Sequence, residues 1–128
     1  APSSGTEELG IAIINKTIQI HFTPGSDQIM DGSYFVLDSL GETMVAFGST
    51  YLRVEGNTDS RGTEGVNKPL SQKRAEAVRK YLVTNFAVPD ERFVTEGKGS
   101  ANPLAANTTE DGRALNRRTD IKVVLNPQ

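Results

Sequence analysis

Two charged residues, Asp59 and Arg74, are spaced so that together they could hold a charged ligand. Asp59 directly follows the predicted strand 51–57, and Ser71 is predicted to cap a helix that begins at Gln72, with Arg74 in its first turn. The N–H groups of a helix N-terminus and a planar guanidinium both bind carboxylates, and a nearby aspartate would bind an ammonium group. The pair therefore predicts a site for a zwitterion, such as the head of an amino acid.

A structural role for the same two residues is the alternative. Asp59 could pair with Arg74, or it could cap a turn beside Gly62 while Arg74 is merely exposed to solvent. The residues by themselves leave the binding and the structural interpretations open.

The remaining candidate motifs for chemistry are incomplete. Residues 57–68 superficially match a calcium-binding loop, but Arg61 and Lys68 stand where oxygen ligands are needed. GKGS at 97–100 lacks the first glycine of a phosphate-binding loop. His21, the one histidine, has no serine nucleophile motif to act with, and we interpret it as solvated or structural. We therefore expect neither a metal nor a cofactor.

Length and composition indicate one small domain. The chain has 128 residues and no cysteine, which excludes disulfides and thiolate metal sites. Its net charge of −2 gives no electrostatic argument for binding nucleic acid or an anionic membrane. No apolar run approaches the roughly 20 residues of a membrane span, so we expect membrane attachment only through segments outside this chain. Residues 1–16 are predicted to be a tether or linker, and residues 17–128 the folded domain.

Hydrophobic periodicity predicts alternating strands and helices. Strands are predicted at 17–22, 51–57, 92–97 and 119–126, and helices at 31–47, 72–86 and, as a short one, near 110–115. Gly41 weakens the first of these helices. Strands with one polar face favour an α+β fold, a two-layer α/β sandwich with its helices on one face of the sheet.

Three segments carry a resemblance to a known family. They read NTDSRGTEGVNKPLSQKRAEAVRKYL, RFVTEGKGSANP and NTTEDGRALNRRTDIKV, and they contain TD-x-x-G, N-x-x-LS-x-x-RA, G-x-G and NRR in that order. From about residue 18 to residue 124 the chain resembles the OmpA-like domain. This domain is the peptidoglycan-associated module of outer-membrane protein A, the peptidoglycan-associated lipoprotein and the flagellar stator protein. The resemblance implies a mixed β-sheet of the βαβαββ type.

The resemblance also implies a ligand. In that family the aspartate and the arginine of these motifs hold the zwitterionic end of diaminopimelate in the peptide stem of peptidoglycan. It assigns that role to Asp59 and Arg74, and contacts with the same pocket to Thr58, Asn67 and Arg117. The implied function is non-catalytic, noncovalent anchoring of a membrane-attached protein to the cell wall, in the periplasm of Gram-negative bacteria, with a homodimer as an option.

Two rival functions stay open. A wall hydrolase could use Asp59 together with Glu64 or Glu55, because glycosidases need two carboxylates. A dimerising interaction domain with a vestigial wall site would carry the same motifs. The segment 22–25 lacks the acidic residue that the family often has after the phenylalanine, so we do not assume a ligand contact from it.

Overall fold

The computed structural model describes residues 16–125. Apart from Lys16, the predicted tether at residues 1–16 lies outside the described residues, as do residues 126–128.

Four strands form one mixed sheet, and three helices connect them. The strands are β1 (Thr17–His21), β2 (Tyr51–Gly56), β3 (Phe93–Gly97) and β4 (Arg118–Val124), and the helices are α1 (Tyr34–Ala46), α2 (Glu64–Phe86) and α3 (Glu110–Asn116). The strand order is β1-β4-β2-β3, with β2 and β3 parallel and β4 antiparallel to both of its neighbours. Helix α2 makes the crossover between the parallel strands, as such a pair requires. The predicted α+β class and mixed sheet are confirmed, with α3 between the last two strands.

One face of the sheet is covered by α1 and α2, and the other is polar. Leu52 and Val54 of β2 are fully buried and belong to one apolar cluster with residues of both helices, including Leu37 and Val78. On the opposite face the exposed side chain of Arg53 neighbours that of Lys122 across the β2–β4 pair. The period-two alternation of the strands thus follows from burial on one face only.

Helix α1 is fixed at two points. Gly41 lies against Phe86, because a Cβ at position 41 would come within 2.3 Å of the Phe86 ring. At the end of α1, Arg92 donates hydrogen bonds to the carbonyls of Met44 at 2.8 Å, Phe47 at 2.7 Å and Thr50 at 2.9 Å. Gly41, a weak point for helix formation, is therefore a packing position, and Arg92 satisfies carbonyls at the helix terminus.

Two glycines let α2 lie close to the ends of the parallel strands. Gly56 and Gly97 are register partners at the ends of β2 and β3. A Cβ on Gly56 would lie 1.8 Å from the carbonyl oxygen of Ser71, and one on Gly97 would lie 2.6 Å from the backbone nitrogen of Gln72. The helix therefore crosses both strand ends at the edge where residues 57–63 leave the sheet.

The start of α2 differs from the prediction. The helix begins at Glu64 rather than at Gln72, and its N-cap residue is Thr63. Arg74 consequently lies in the middle of the helix, and the predicted first-turn position is wrong. Pro69 lies inside the helix, which forgoes the hydrogen bond that residue 69 would otherwise donate.

Ser71, predicted as the helix cap, has a different role. Its hydroxyl donates to the carbonyl of Lys68 at 2.7 Å and accepts a hydrogen bond from the backbone N–H of Gly99 at 2.8 Å. The residue is fully buried. Serine and proline are common near helix starts. Here, however, Ser71 lies inside the helix and its hydroxyl connects the helix to the loop after β3 through the hydrogen bond from Gly99.

Candidate ligand-binding site

A cavity of about 330 Å³ lies where the loop after β2 meets the first half of α2. Three segments of the chain line it, with residues Gly25, Thr58, Asp59, Arg61, Gly62, Val66, Asn67, Leu70 and Arg74. Four of the five predicted site residues are thus brought together, and the fifth, Arg117, is not among the lining residues.

Arg74 is held by main-chain carbonyls. Its side chain donates from Nε to Ser26 at 2.9 Å, from Nη1 to Asn57 at 2.9 Å and from Nη2 to Thr23 at 3.1 Å. Its guanidinium also lies 5.5 Å from the centre of the Phe22 ring. A guanidinium has five N–H donors, so each terminal nitrogen retains one that these three bonds do not use. Charged N–H donors of this kind bind carboxylates.

Arg74 is also a buried cation without a carboxylate partner. It is 1% exposed, and the ion pairs formed among residues 16–125 do not include it. Burial lowers its pKa to about 10, with the Asp59 carboxylate acting in the opposite direction, so the guanidinium is charged at neutral pH. Because a buried charge is costly unless it is paired, an anion entering the cavity would be stabilised here.

Asp59 is an ionised carboxylate with partners of its own. Its Oδ1 accepts a hydrogen bond from the backbone N–H of Arg61 at 2.9 Å, and its Oδ2 accepts from Arg117 Nη1 at 3.0 Å and from Arg61 Nη2 at 3.3 Å. Burial raises the pKa of Asp59, but these hydrogen bonds outweigh it and hold the pKa below its usual value. Asp59 therefore caps a turn, as the structural alternative expected, but the exposed position that this alternative gave to Arg74 is wrong because Arg74 is buried. Asp59 forms no ion pair with Arg74 among the described residues.

Arg117 lies behind Asp59 rather than in the cavity. Its side chain is 5% exposed and bridges Asp59 to Glu110, with Nη2 at 2.5 Å from Glu110 Oε2. The ligand contact of Arg117 stays a prediction, and in this structure Arg117 holds Asp59 in place. Its neighbour Arg118 is turned away and pairs with Asp120 at 3.0 Å.

Thr58 and Asn67 shape the loop as well as lining the cavity. The Thr58 hydroxyl donates to the carbonyl of Asp59 at 2.9 Å, and Asn67 Nδ2 donates to the carbonyl of Arg61 at 3.0 Å. The same loop is also held by Asn107, whose side-chain Oδ1 accepts a hydrogen bond from the backbone N–H of Ser60 at 3.2 Å. Helix α2 therefore fixes the loop that presents Asp59.

The segment 23–28 is the part of the site that the sequence did not reveal. Two of its carbonyls hold Arg74, and Gly25, with φ +63°, lines the cavity. The glycine after Pro24 signals a turn, but nothing in the sequence connects that turn to Arg74.

The other candidate chemical groups lie elsewhere. Glu64 accepts hydrogen bonds from Ser100, and Glu55 pairs with Lys98 at 3.5 Å, so neither carboxylate lines the cavity. Burial, followed by the charge of Arg118, lowers the pKa of His21. Within residues 16–125 no group of three or more histidine or acidic side chains is placed to hold a metal ion. None of the helices in that range is long and apolar enough to cross a membrane.

Comparison with known proteins gives consistent matches. The model of the OmpA family matches residues 21–117. Outer membrane porin F of Pseudomonas aeruginosa is 36% identical over 111 residues, which cover 87% of this chain and 32% of that protein. The peptidoglycan-binding protein ArfA of Mycobacterium tuberculosis is 38% identical over 104 residues, which cover 81% of this chain and 32% of that protein. This chain thus spans 32% of the length of each of these two relatives.

A solved structure matches the fold. The crystal structure of the peptidoglycan-associated lipoprotein from Burkholderia pseudomallei superposes with a TM-score of 0.77. The two sequences are 31% identical, and the match covers 82% of this chain and 88% of that one.

Proposed function

Since the chain belongs to the OmpA family, we propose that it binds peptidoglycan noncovalently, through the diaminopimelate of the stem peptide, and anchors a membrane-attached protein to the cell wall. The observation that carries the proposal is Arg74, a buried cation without a carboxylate partner, in one cavity with the carboxylate of Asp59. The names of two similar proteins, a peptidoglycan-binding protein and a peptidoglycan-associated lipoprotein, support the same ligand.

The proposed complex places each charge of the zwitterion against an opposite charge. The ligand carboxylate accepts hydrogen bonds from the two remaining N–H groups of Arg74, and the ligand ammonium donates a hydrogen bond to the carboxylate of Asp59. Each charge-assisted hydrogen bond contributes about 1.5–3 kcal/mol. Many stems in one wall raise the effective concentration, so a tethered domain is retained even when a single contact is weak.

A wall hydrolase is the less well supported alternative. Asp59 is the one carboxylate among the residues that line the cavity, whereas glycosidases use two. Its pKa is lowered, which does not suit a general acid at neutral pH. The names of the similar proteins describe a porin, a peptidoglycan-binding protein and a peptidoglycan-associated lipoprotein, which supports a non-catalytic domain.

The location follows from the proposed ligand. The similar proteins include an outer membrane porin and a lipoprotein, both of the cell envelope, which supports a periplasmic location for this domain. Residues 1–16 would then serve as the tether to a membrane-attached segment outside this chain. A homodimer stays a prediction, and the interaction-domain alternative depends on it.

The test is retention on purified peptidoglycan that contains diaminopimelate. Asp59→Asn removes the charge but retains an acceptor for the Arg61 N–H, so the variant should fold. Loss of one charge-assisted contact should weaken retention about tenfold or more. Asp90→Asn is the matched control, because Asp90 pairs with Arg79 outside this cavity and should leave retention unchanged.

Two further arms make the result decisive. Wall that lacks diaminopimelate should retain neither variant nor wild type. If a folded Asp59→Asn protein is retained as well as wild type, the zwitterion site is wrong and the interaction-domain alternative is favoured.

A further inference from the structure

A second arginine, Arg61, lies at the mouth of the same cavity. Its side chain is 56% exposed, and its Nη2 is 3.3 Å from Asp59 Oδ2, the oxygen that also accepts Arg117 Nη1 at 3.0 Å. Asp59 therefore has two cationic partners before any ligand arrives. An ammonium group that binds Asp59 at Oδ2 competes with these two partners, whereas among the described residues Oδ1 accepts a hydrogen bond only from the Arg61 N–H.

The exposed partner is the one that can move. Arg117 is 5% exposed and is held by Glu110 as well as by Asp59. The contact of Arg61 is longer and lies at the surface, where ion pairs contribute little. A ligand ammonium at Oδ2 would therefore displace the guanidinium of Arg61 more readily than that of Arg117.

The main chain of Arg61 does not move with its side chain. Its N–H donates to Asp59 Oδ1 at 2.9 Å, and its carbonyl accepts from Asn67 Nδ2 at 3.0 Å. A displaced guanidinium would therefore turn about the same Cα and remain near the mouth of the cavity. It would then have no counter-charge from Asp59.

The charges of the lining residues favour an additional anion. The lining residues include two cations, Arg61 and Arg74, and one anion, Asp59. Asp27, whose charge also acts on Arg74, lines a neighbouring cavity instead. A zwitterion adds no net charge, so one cation remains without a partner when only the zwitterion is bound.

We propose that Arg61 determines specificity by binding a second free carboxylate of the stem peptide, beside the diaminopimelate head. The domain then prefers stems in which the neighbouring residue carries a carboxylate over stems that carry a carboxamide at that position. This inference rests on the proposed function, because it needs the head group in the Asp59 and Arg74 cavity.

The test is calorimetric titration with two matched dipeptides. One is N-acetyl-γ-D-glutamyl-diaminopimelate with a carboxamide at the diaminopimelate centre that forms the peptide bond, and the other also carries a carboxamide in place of the glutamate α-carboxylate. Wild type should bind the carboxylate form about five times more tightly, as expected for one solvent-accessible ion pair. Arg61→Gln should bind the two forms equally, and Arg61→Lys should retain part of the preference because it retains the charge.

A control arginine and the pattern of outcomes separate the two proposals. Arg79→Gln removes a surface arginine that pairs with Glu76 and Asp90, and it should leave the preference intact. Equal binding of both dipeptides by wild type, or an unchanged preference in Arg61→Gln, overturns the proposed role of Arg61 and leaves the proposed function standing. If wild type binds neither dipeptide, the proposed function fails and this inference fails with it.

Discussion

Arg74 combines two roles that would ordinarily conflict, since the same side chain organises the fold and presents donors to the cavity. Its three hydrogen bonds satisfy carbonyls of Thr23, Ser26 and Asn57, which belong to two separate loops. A mutation of Arg74 therefore changes the shape of the site as well as its charge. Loss of binding in such a variant would not by itself identify the ligand.

Substitution of Arg74 should cost stability. Arg74→Ala leaves three carbonyls without their donor and removes a large buried side chain, so we expect the free energy of unfolding to fall by about 3 kcal/mol or more. Urea denaturation measures this directly. Arg79→Ala is the control, since its side chain is 33% exposed, and it should cost less than about 1 kcal/mol. Equal stability of the two variants would contradict the structural role of Arg74.

At the scale of elements, the site depends on how closely α2 approaches the strand ends. Gly56 ends β2 directly before the loop that carries Asp59, and α2 carries Asn67 and Arg74. Contact between the Gly56 backbone and the helix therefore sets the distance between the two halves of the cavity.

A methyl group at position 56 should separate these elements. Gly56→Ala would place a Cβ 1.8 Å from the Ser71 carbonyl oxygen, so we expect a loss of about 1–3 kcal/mol in the free energy of unfolding and weaker retention on wall. Gly48→Ala is the matched control, because its Cβ meets nothing within 4 Å. Thermal unfolding and wall retention of both variants check this. A Gly56→Ala protein as stable as Gly48→Ala would show that the close approach is unimportant.

For the whole molecule, the electrostatics predict sensitivity to acid. Hydrogen bonds from Ser100 and Arg117 lower the pKa values of Glu64 and Glu110, respectively. At Asp59 burial raises the pKa, but the hydrogen bonds that the carboxylate accepts lower it by more, so the net pKa is below its ordinary value. In the folded state these groups bind fewer protons than in the unfolded state, so their contribution to stability is present above their ordinary pKa values of 3.8 to 4.5.

That contribution is lost as the pH falls through the lowered, folded-state pKa values. We expect the free energy of unfolding to decrease steadily below about pH 4, with a smaller decrease in Asp59→Asn than in wild type. Urea denaturation between about pH 7 and pH 2.5 measures both slopes. Identical slopes for the two proteins would mean that Asp59 does not contribute.

The sequence by itself determined the strands, the α+β class and four of the cavity residues. Period-two alternation and short motifs such as TD-x-x-G depend on near neighbours along the chain, so they can be recognised without tertiary structure. The sequence predicted that α2 starts at Gln72, but the helix starts at Glu64. Tertiary packing keeps Pro69 and Ser71 inside the helix, although both residue types are typical of helix starts.

Only the tertiary structure decided the environment of each charge. Arg74 donates a hydrogen bond to the carbonyl of Thr23, which is 51 residues away in the sequence, and Arg117 donates one to Asp59, which is 58 residues away. The sequence contains both partners of each contact but not their pairing, since burial of one sheet face brings distant loops to the same edge. For that reason the burial of Arg74, the position of Arg117 behind Asp59 and the exposed position of Arg61 could be learned only from the folded chain.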